Sequence, residues 1–158
     1  MEILKKGGNI IFIRHAIAPG NGDPQNFDIS NCSTQRNLSK EGELQALKIG
    51  KFFKENDIKL TKVLSSEWCR CKDTAKIAFG NYETKNFLNS FYDERFSENK
   101  DRQILDFQKF IRNWNKTGNL VLVTHYVVIS EILDLTTSSG EIVITDTNLK
   151  FLSSLEIN

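Results

Sequence analysis

The chain has 158 residues, 39% of them hydrophobic and 26% charged, with a formal net charge of +1. That length suits one domain with a sizeable core, and so small a net charge excludes a general attraction to nucleic acid or an anionic membrane surface. No run approaches the ~20 apolar residues of a membrane span, and residues 1–8 lack the apolar stretch of a signal peptide, so the expected location is cytoplasmic, or periplasmic if a leader has been removed.

In chain order, residues 9–14 form a continuous apolar run rich in β-branched side chains and read as a buried strand. Residues 16–37 hold both prolines, Gly20 and Gly22, and read as a long loop over that strand's end. Loops of this length in compact domains are usually functional or disordered. Ser39 offers an N-cap to a helix running to about Glu55, with Leu44, Leu47, Ile49 and Phe52-Phe53 on its apolar face. Residues 63–65 read as a short strand and 67–79 as a helix. Residues 80–99 are mixed and aromatic, expected to be loop with some extended structure. Ile104, Phe107, Phe110, Ile111 and Trp114 recur at three and four, an amphipathic helix. Residues 119–124 form the next strand and 127–135 a short helix. Two last strands, 141–145 and 149–156, flank an Asp146-Thr147-Asn148 turn. The alternation implies an α/β fold, a three-layer α/β/α sandwich with a mainly parallel central sheet, in a single domain spanning 1–158.

Three cysteines cannot all pair with one another. Cys69 and Cys71 make a C-x-C, too sparse for a structural zinc site. Buried free thiols are the simpler reading; the other is a bridge from Cys32 to one of that pair.

The chemistry concentrates at strand ends, where open α/β sheets place their crevice. Only two histidines occur, and each closes an apolar run: His15 after Ile10-Ile11-Phe12-Ile13-Arg14, and His125 after Leu120-Val121-Leu122-Val123-Thr124. A guanidinium such as Arg14 grips two phosphate oxygens at once, and a neutral imidazole beside it is able to attack phosphorus. Between them, Ser66-Glu67-Trp68-Cys69-Arg70 turns a strand end into a helix start, a natural anion site. Arg70 lies one turn into that helix, and Ser66 is placed to cap it. His125, once protonated, would donate to a phosphoryl oxygen in the transition state. Taken singly, each of these residues also fits a bland role: a surface pair, a solvated arginine, a buried structural histidine.

Arg14-His15-Ala16, Gln35-Arg36-Asn37-Leu38-Ser39-Lys40-Glu41-Gly42, Ser66-x-x-x-Arg70-x-x-x-Thr74-Ala75 and Val123-Thr124-His125 together resemble the histidine phosphatase superfamily, the phosphoglycerate-mutase-like proteins. The resemblance covers nearly the whole chain in order and spacing. It implies the phosphoglycerate-mutase-like fold and a phosphatase, a phosphoric monoester (or phosphoramidate) hydrolase that uses no metal or other cofactor. His15 would be the phosphorylated nucleophile, with Arg14, Arg70 and His125 completing the phosphate pocket. Asn21 would contact phosphate, and Arg36 would serve structure more than chemistry. Ala16 and Tyr126 stand where the family commonly has glycine; Tyr126 would narrow the site and contact substrate.

Family members supply a Glu or Asp to protonate the leaving group. Tyr126 and Val127 exclude the branch that places it after the late histidine, leaving Asp93 and Glu94, of which Glu94 is the expected donor. If neither acts, the leaving group must depart unaided, as from a phosphoramidate. The partner is thus a small phosphorylated substrate or a phosphohistidine protein. The short chain is similar to the compact phosphohistidine phosphatases. Asp23-Pro24, Cys32-x-x-Gln35-Arg36-Asn37-Leu38 and Trp68-Cys69-Arg70-Cys71 look closer to a small bacterial group that includes envelope enzymes acting on lipopolysaccharide heptose phosphate. A catalytically silent phosphate-binding regulatory module is the alternative. It is disfavoured by the intact Arg14, His15, Arg70 and His125 set.

Overall fold

A computed structural model describes residues 1–115 and 117–158. Six strands form one sheet: β1 (Ile10–Arg14), β2 (Leu60–Ser65), β3 (Glu83–Thr84), β4 (Asn119–Thr124), β5 (Ile142–Thr145) and β6 (Phe151–Leu155). Their order is β3-β2-β4-β1-β5-β6. The first four are mutually parallel, while β5 runs antiparallel to both β1 and β6. The helices are α1 (Glu2–Lys6), α2 (Lys40–Glu55), α3 (Cys69–Phe79), α4 (Lys100–Asn113) and α5 (Tyr126–Leu133).

The sheet is buried on both faces, which is why its central strands read as continuous apolar runs. Ile11, Ile13, Val63, Val121 and Val123 pack with Ile49 and Phe53 of α2 and Ala75 of α3. The alternate residues Ile10, Phe12, Leu64, Leu120 and Leu122 pack with Phe107 and Ile111 of α4 and Ile129 of α5. Successive side chains point to opposite faces, so one set of strands supplies both cores and the three expected layers follow.

Ser39 caps α2 as its sequence position predicts, its Oγ accepting from the Gly42 N–H at 3.1 Å. Gly42 is required there: a Cβ would stand 2.1 Å from the Ile17 carbonyl oxygen. The start of α2 thereby rests directly on the chain leaving β1. The Asp146-Thr147-Asn148 turn forms as expected, with Asp146 Oδ1 accepting from the N–H groups of Asn148 (2.8 Å) and Lys150 (3.0 Å).

Several boundaries differ from the sequence reading. Helix α3 begins at Cys69 rather than 67, because Trp68 is extended and takes the N-cap position. Helix α4 begins four residues before its first periodic apolar residue, continuing the 3₁₀ turn Glu94–Asn99. Residues 80–99 hold the two-residue strand β3 and 3₁₀ turns at Asn86–Leu88 and Glu94–Asn99. Helix α1 lies in a segment whose charged composition gave no element; Leu4 alone anchors it in the core. No helix among the described residues is long and apolar enough to cross a membrane.

Candidate active site

Three adjacent parallel strands end side by side. Arg14 is in register with Thr124, and Ser65 with Val123. The residues that follow these pairs are His15, His125 and Ser66. Sheet pairing thus brings together groups far apart in sequence. The main chain fixes them further: the His15 N–H donates to the Thr124 carbonyl (3.0 Å) and the Ser66 N–H to the Val123 carbonyl (3.0 Å). The neighbour of β1 on one side is parallel and on the other antiparallel, so the sheet changes direction beside His15.

Both imidazoles are buried, with ring centres 5.6 Å apart and edge to face. Nδ1 of His15 lies 2.8 Å from the Ala16 carbonyl. A carbonyl only accepts, so Nδ1 holds the proton and Nε2 keeps its lone pair. Burial, reinforced by the positive charges of Arg70, Arg14 and Arg36, holds the His15 pKa well below 6.5. His125 is likewise held well below 6.5 by burial, with Arg70, His15, Arg36 and Arg14 adding to it. Its Nε2 lies 2.8 Å from Oγ of Ser66 and 3.5 Å from Sγ of Cys71. Burial pushes the Cys71 thiol up to about 12, so it stays protonated.

Arg14 and Arg70 are each held through Nη1, and Arg36 through both Nε and Nη1. Nη1 of Arg14 donates to the Thr137 carbonyl, and its guanidinium carbon sits 5.6 Å from the centre of the Tyr126 ring. Nη1 of Arg70 lies 3.0 and 3.3 Å from the two oxygens of Asp23. Arg36 donates from Nε to the Gly22 carbonyl (2.8 Å) and from Nη1 to the Ala18 carbonyl. The Nε groups of Arg14 and Arg70 are buried and have no partner among the described residues. Buried donors without acceptors are rare in folded proteins and call for a reason. Two of them at one site are suited to a polyanion.

These groups face a cavity of about 80 Å³, room for several waters or one small anion. Its lining includes Arg14, His15, Asn21, Arg70, His125 and Tyr126, six of the seven residues singled out from the sequence. Glu94 is the exception. It is exposed on the 3₁₀ turn before α4 and takes no part in the lining. Asp93 beside it accepts from the Arg95 side chain at 2.9 and 3.0 Å. Ser90, Tyr92, Gly22, Val127 and Arg36 also line the cavity. Arg36 therefore contributes positive charge as well as structure. Ser66 does not cap α3; its Oγ bridges His125 and the Trp68 N–H instead. Asp23 figures in the sequence only through the Asp23-Pro24 resemblance, and nothing local marks one acid of a long loop as an arginine's partner.

The cysteines take the alternative reading. Cys32 and Cys69 are bridged, with Cα atoms 5.7 Å apart, and only Cys71 is free. The bridge ties the 16–37 loop to the first residue of α3. Gln35 reinforces it, its Oε1 accepting from the Cys69 N–H at 2.9 Å.

With this geometry in place, the comparisons with known proteins are specific. The sequence model of the histidine phosphatase superfamily (branch 1) matches residues 10–99, more than half of the chain and inclusive of Arg14, His15 and Arg70. The chain belongs to the histidine phosphatase superfamily. No curated protein sequence matches it. Among solved structures it is similar to the protein histidine phosphatase SixA complexed with tungstate, at 13% identity and a TM-score of 0.64, covering 94% of this chain and 96% of that one. It is likewise similar to phosphoglycerate mutase from Thermus thermophilus, at 18% identity and a TM-score of 0.64, covering 95% of this chain and 99% of that one. At these identities the likeness shows the fold: a mixed α/β histidine phosphatase fold with a mostly parallel sheet, His125 lying beyond the matched segment.

Proposed function

We propose that residues 1–158 form one histidine phosphatase domain, which moves a phosphoryl group from its substrate to Nε2 of His15 and then to water. The observation that carries this reading is the His15 Nδ1 to Ala16 carbonyl contact of 2.8 Å, which leaves Nε2 unprotonated on a residue that lines the cavity with three arginines. In the first step the Nε2 lone pair forms the N–P bond while the bond from phosphorus to the leaving group breaks. In the second, water attacks phosphorus, the N–P bond breaks, and orthophosphate departs as Nε2 regains its lone pair.

Charge on the phosphoryl oxygens is met by Arg14 and Arg70, whose guanidinium groups are already anchored beside the cavity and whose Nε donors have no other partner among the described residues. A bound dianion also opposes the arginines that keep His125 neutral, so His125 takes up a proton and donates to the same group. The cavity lining contains no carboxylate among the described residues. Leaving groups that need no proton from the enzyme are therefore favoured over alkyl alcohols: an aryl oxide that departs as the anion, or the imidazole of a phosphohistidine protonated by solvent at its other ring nitrogen. That SixA, named a protein histidine phosphatase, has the same fold supports a phosphohistidine protein as one substrate class.

Hydrolysis of p-nitrophenyl phosphate by wild type and His15→Ala tests the reading. His15-dependent turnover is the expected result. Retained phosphate binding with no turnover in the wild type would instead favour a silent phosphate-binding module.

A further inference from the structure

We infer that Asp23 is a positioning residue for phosphoryl transfer, setting which edge of Arg70 meets the substrate; this rests on the phosphoryl-transfer reading above. The two side chains are 5% and 4% exposed, so the pair is buried. An arginine and a carboxylate commonly meet fork to fork, through two nitrogens. Here both Asp23 oxygens address the single nitrogen Nη1. That end-on contact leaves the Nε edge of Arg70 uncommitted; Nε is buried without a partner among the described residues, and Arg70 lines the cavity.

Asp23 is itself held from two other segments. Oδ1 accepts from the Arg36 main-chain N–H at 2.9 Å, and Oδ2 from the Trp68 indole N–H at 3.1 Å. One carboxylate thereby locks Arg70, the chain at Arg36 and the ring of Trp68, whose centre is 5.5 Å from that of His125. Its charge also offsets part of the positive field of a site whose lining holds three arginines. Each oxygen receives donors only. A carboxamide of the same shape would turn an NH₂ toward donors whichever way it was flipped. Nη1 would then keep one amide oxygen and the Arg36 carbonyl at 3.4 Å but lose its charged partner, and the guanidinium edge would be less firmly fixed.

The test is a double-mutant cycle of Asp23→Asn with Arg70→Met, read in kcat/KM for p-nitrophenyl phosphate and in orthophosphate affinity by calorimetry. Asp23→Asn should lower kcat/KM at least tenfold when Arg70 is present and less than twofold when it is Met. That coupling, at least fivefold, corresponds to about 1 kcal/mol. A merely structural role would give equal losses in both backgrounds and would overturn the inference, as would no loss at all. If the wild type shows no His15-dependent turnover, the phosphoryl-transfer reading fails. Orthophosphate affinity then decides Asp23 alone: a loss of about fivefold or more confined to the Arg70 background supports it, and equal loss in both refutes it. Should Asp23→Asn not fold, Asp23→Glu is read in the same cycle at the same thresholds.

Discussion

Nε2 of His125 lies 2.8 Å from Oγ of Ser66, joining the first residues after two neighbouring strands. Oγ also accepts from the Trp68 N–H at 3.1 Å and lies 3.2 Å from Oδ1 of Asn89. Ser66 is therefore the joint that orients the His125 ring. Ser66→Ala would strand a buried ring nitrogen and a buried amide, costing about 1–3 kcal/mol of stability. It should lower kcat on p-nitrophenyl phosphate more than tenfold with a smaller change in KM. Steady-state kinetics beside urea unfolding check both numbers.

Arg70 should be sensitive to shape as well as charge. Lysine offers a point charge where the site uses a planar fork, so Arg70→Lys should lose roughly tenfold in kcat/KM and Arg70→Met at least a further tenfold, in keeping with charge-assisted bonds of ~1.5–3 kcal/mol each. Arg70→Met also leaves Asp23 as a buried, unpaired charge, which should destabilise the fold by about 3–5 kcal/mol. Kinetics and chemical denaturation of the two variants distinguish the effects.

The buried histidines make stability pH-dependent in a definite direction. Both have folded pKa values held well below the ordinary 6.5, so the unfolded chain binds more protons as the solution turns acidic. Their contribution to stability is fully present above about pH 6.5 and is lost as pH falls below it toward the depressed folded values. Each contributes a slope of up to about 1.4 kcal/mol per pH unit in that window. Denaturation curves from pH 7.5 to 5 should show this loss, and His125→Asn should remove part of the slope. Added orthophosphate should reduce it, because a bound anion favours the charged imidazole.

The Cys32–Cys69 bridge closes a loop with a sequence separation of 37. Constraining the unfolded chain over that length contributes about 4 kcal/mol in the loop-entropy account. The double variant Cys32→Ser, Cys69→Ser should therefore unfold at distinctly lower urea. Its KM should rise as well, since Asn21, Gly22 and Arg36 reach the cavity from the tethered segment. An unchanged midpoint would show that Gln35 and Asp23 suffice to hold the loop.

Much of this architecture is legible in the residues themselves. The apolar runs of β1 and β4 announce strands buried on both faces, and the histidines at their ends announce the site. Tyr126 lines the cavity as the neighbour of His125 at the end of β4, and Asn21 from the loop that follows His15. What sequence reading could not supply is pairing across the fold. Asp23 meets Arg70 only through the course of the 16–37 loop, and the partner of Cys32 depends on where α3 begins. Glu94 illustrates the opposite limit: its place after the Thr74-Ala75 helix matched a family habit, yet the 3₁₀ turn Glu94–Asn99 leaves it in solvent. Helix α1 escaped notice because one buried leucine in a five-residue segment makes no periodicity.

Rapid quench of the enzyme with a phosphorylated substrate, followed by peptide mapping of the trapped protein, addresses the phosphoryl-transfer step itself. The account predicts one acid-labile, base-stable phosphoryl group per chain, carried on His15 and absent from His15→Ala. Turnover without any such species, or a label carried on His125 or a hydroxyl side chain, would contradict it.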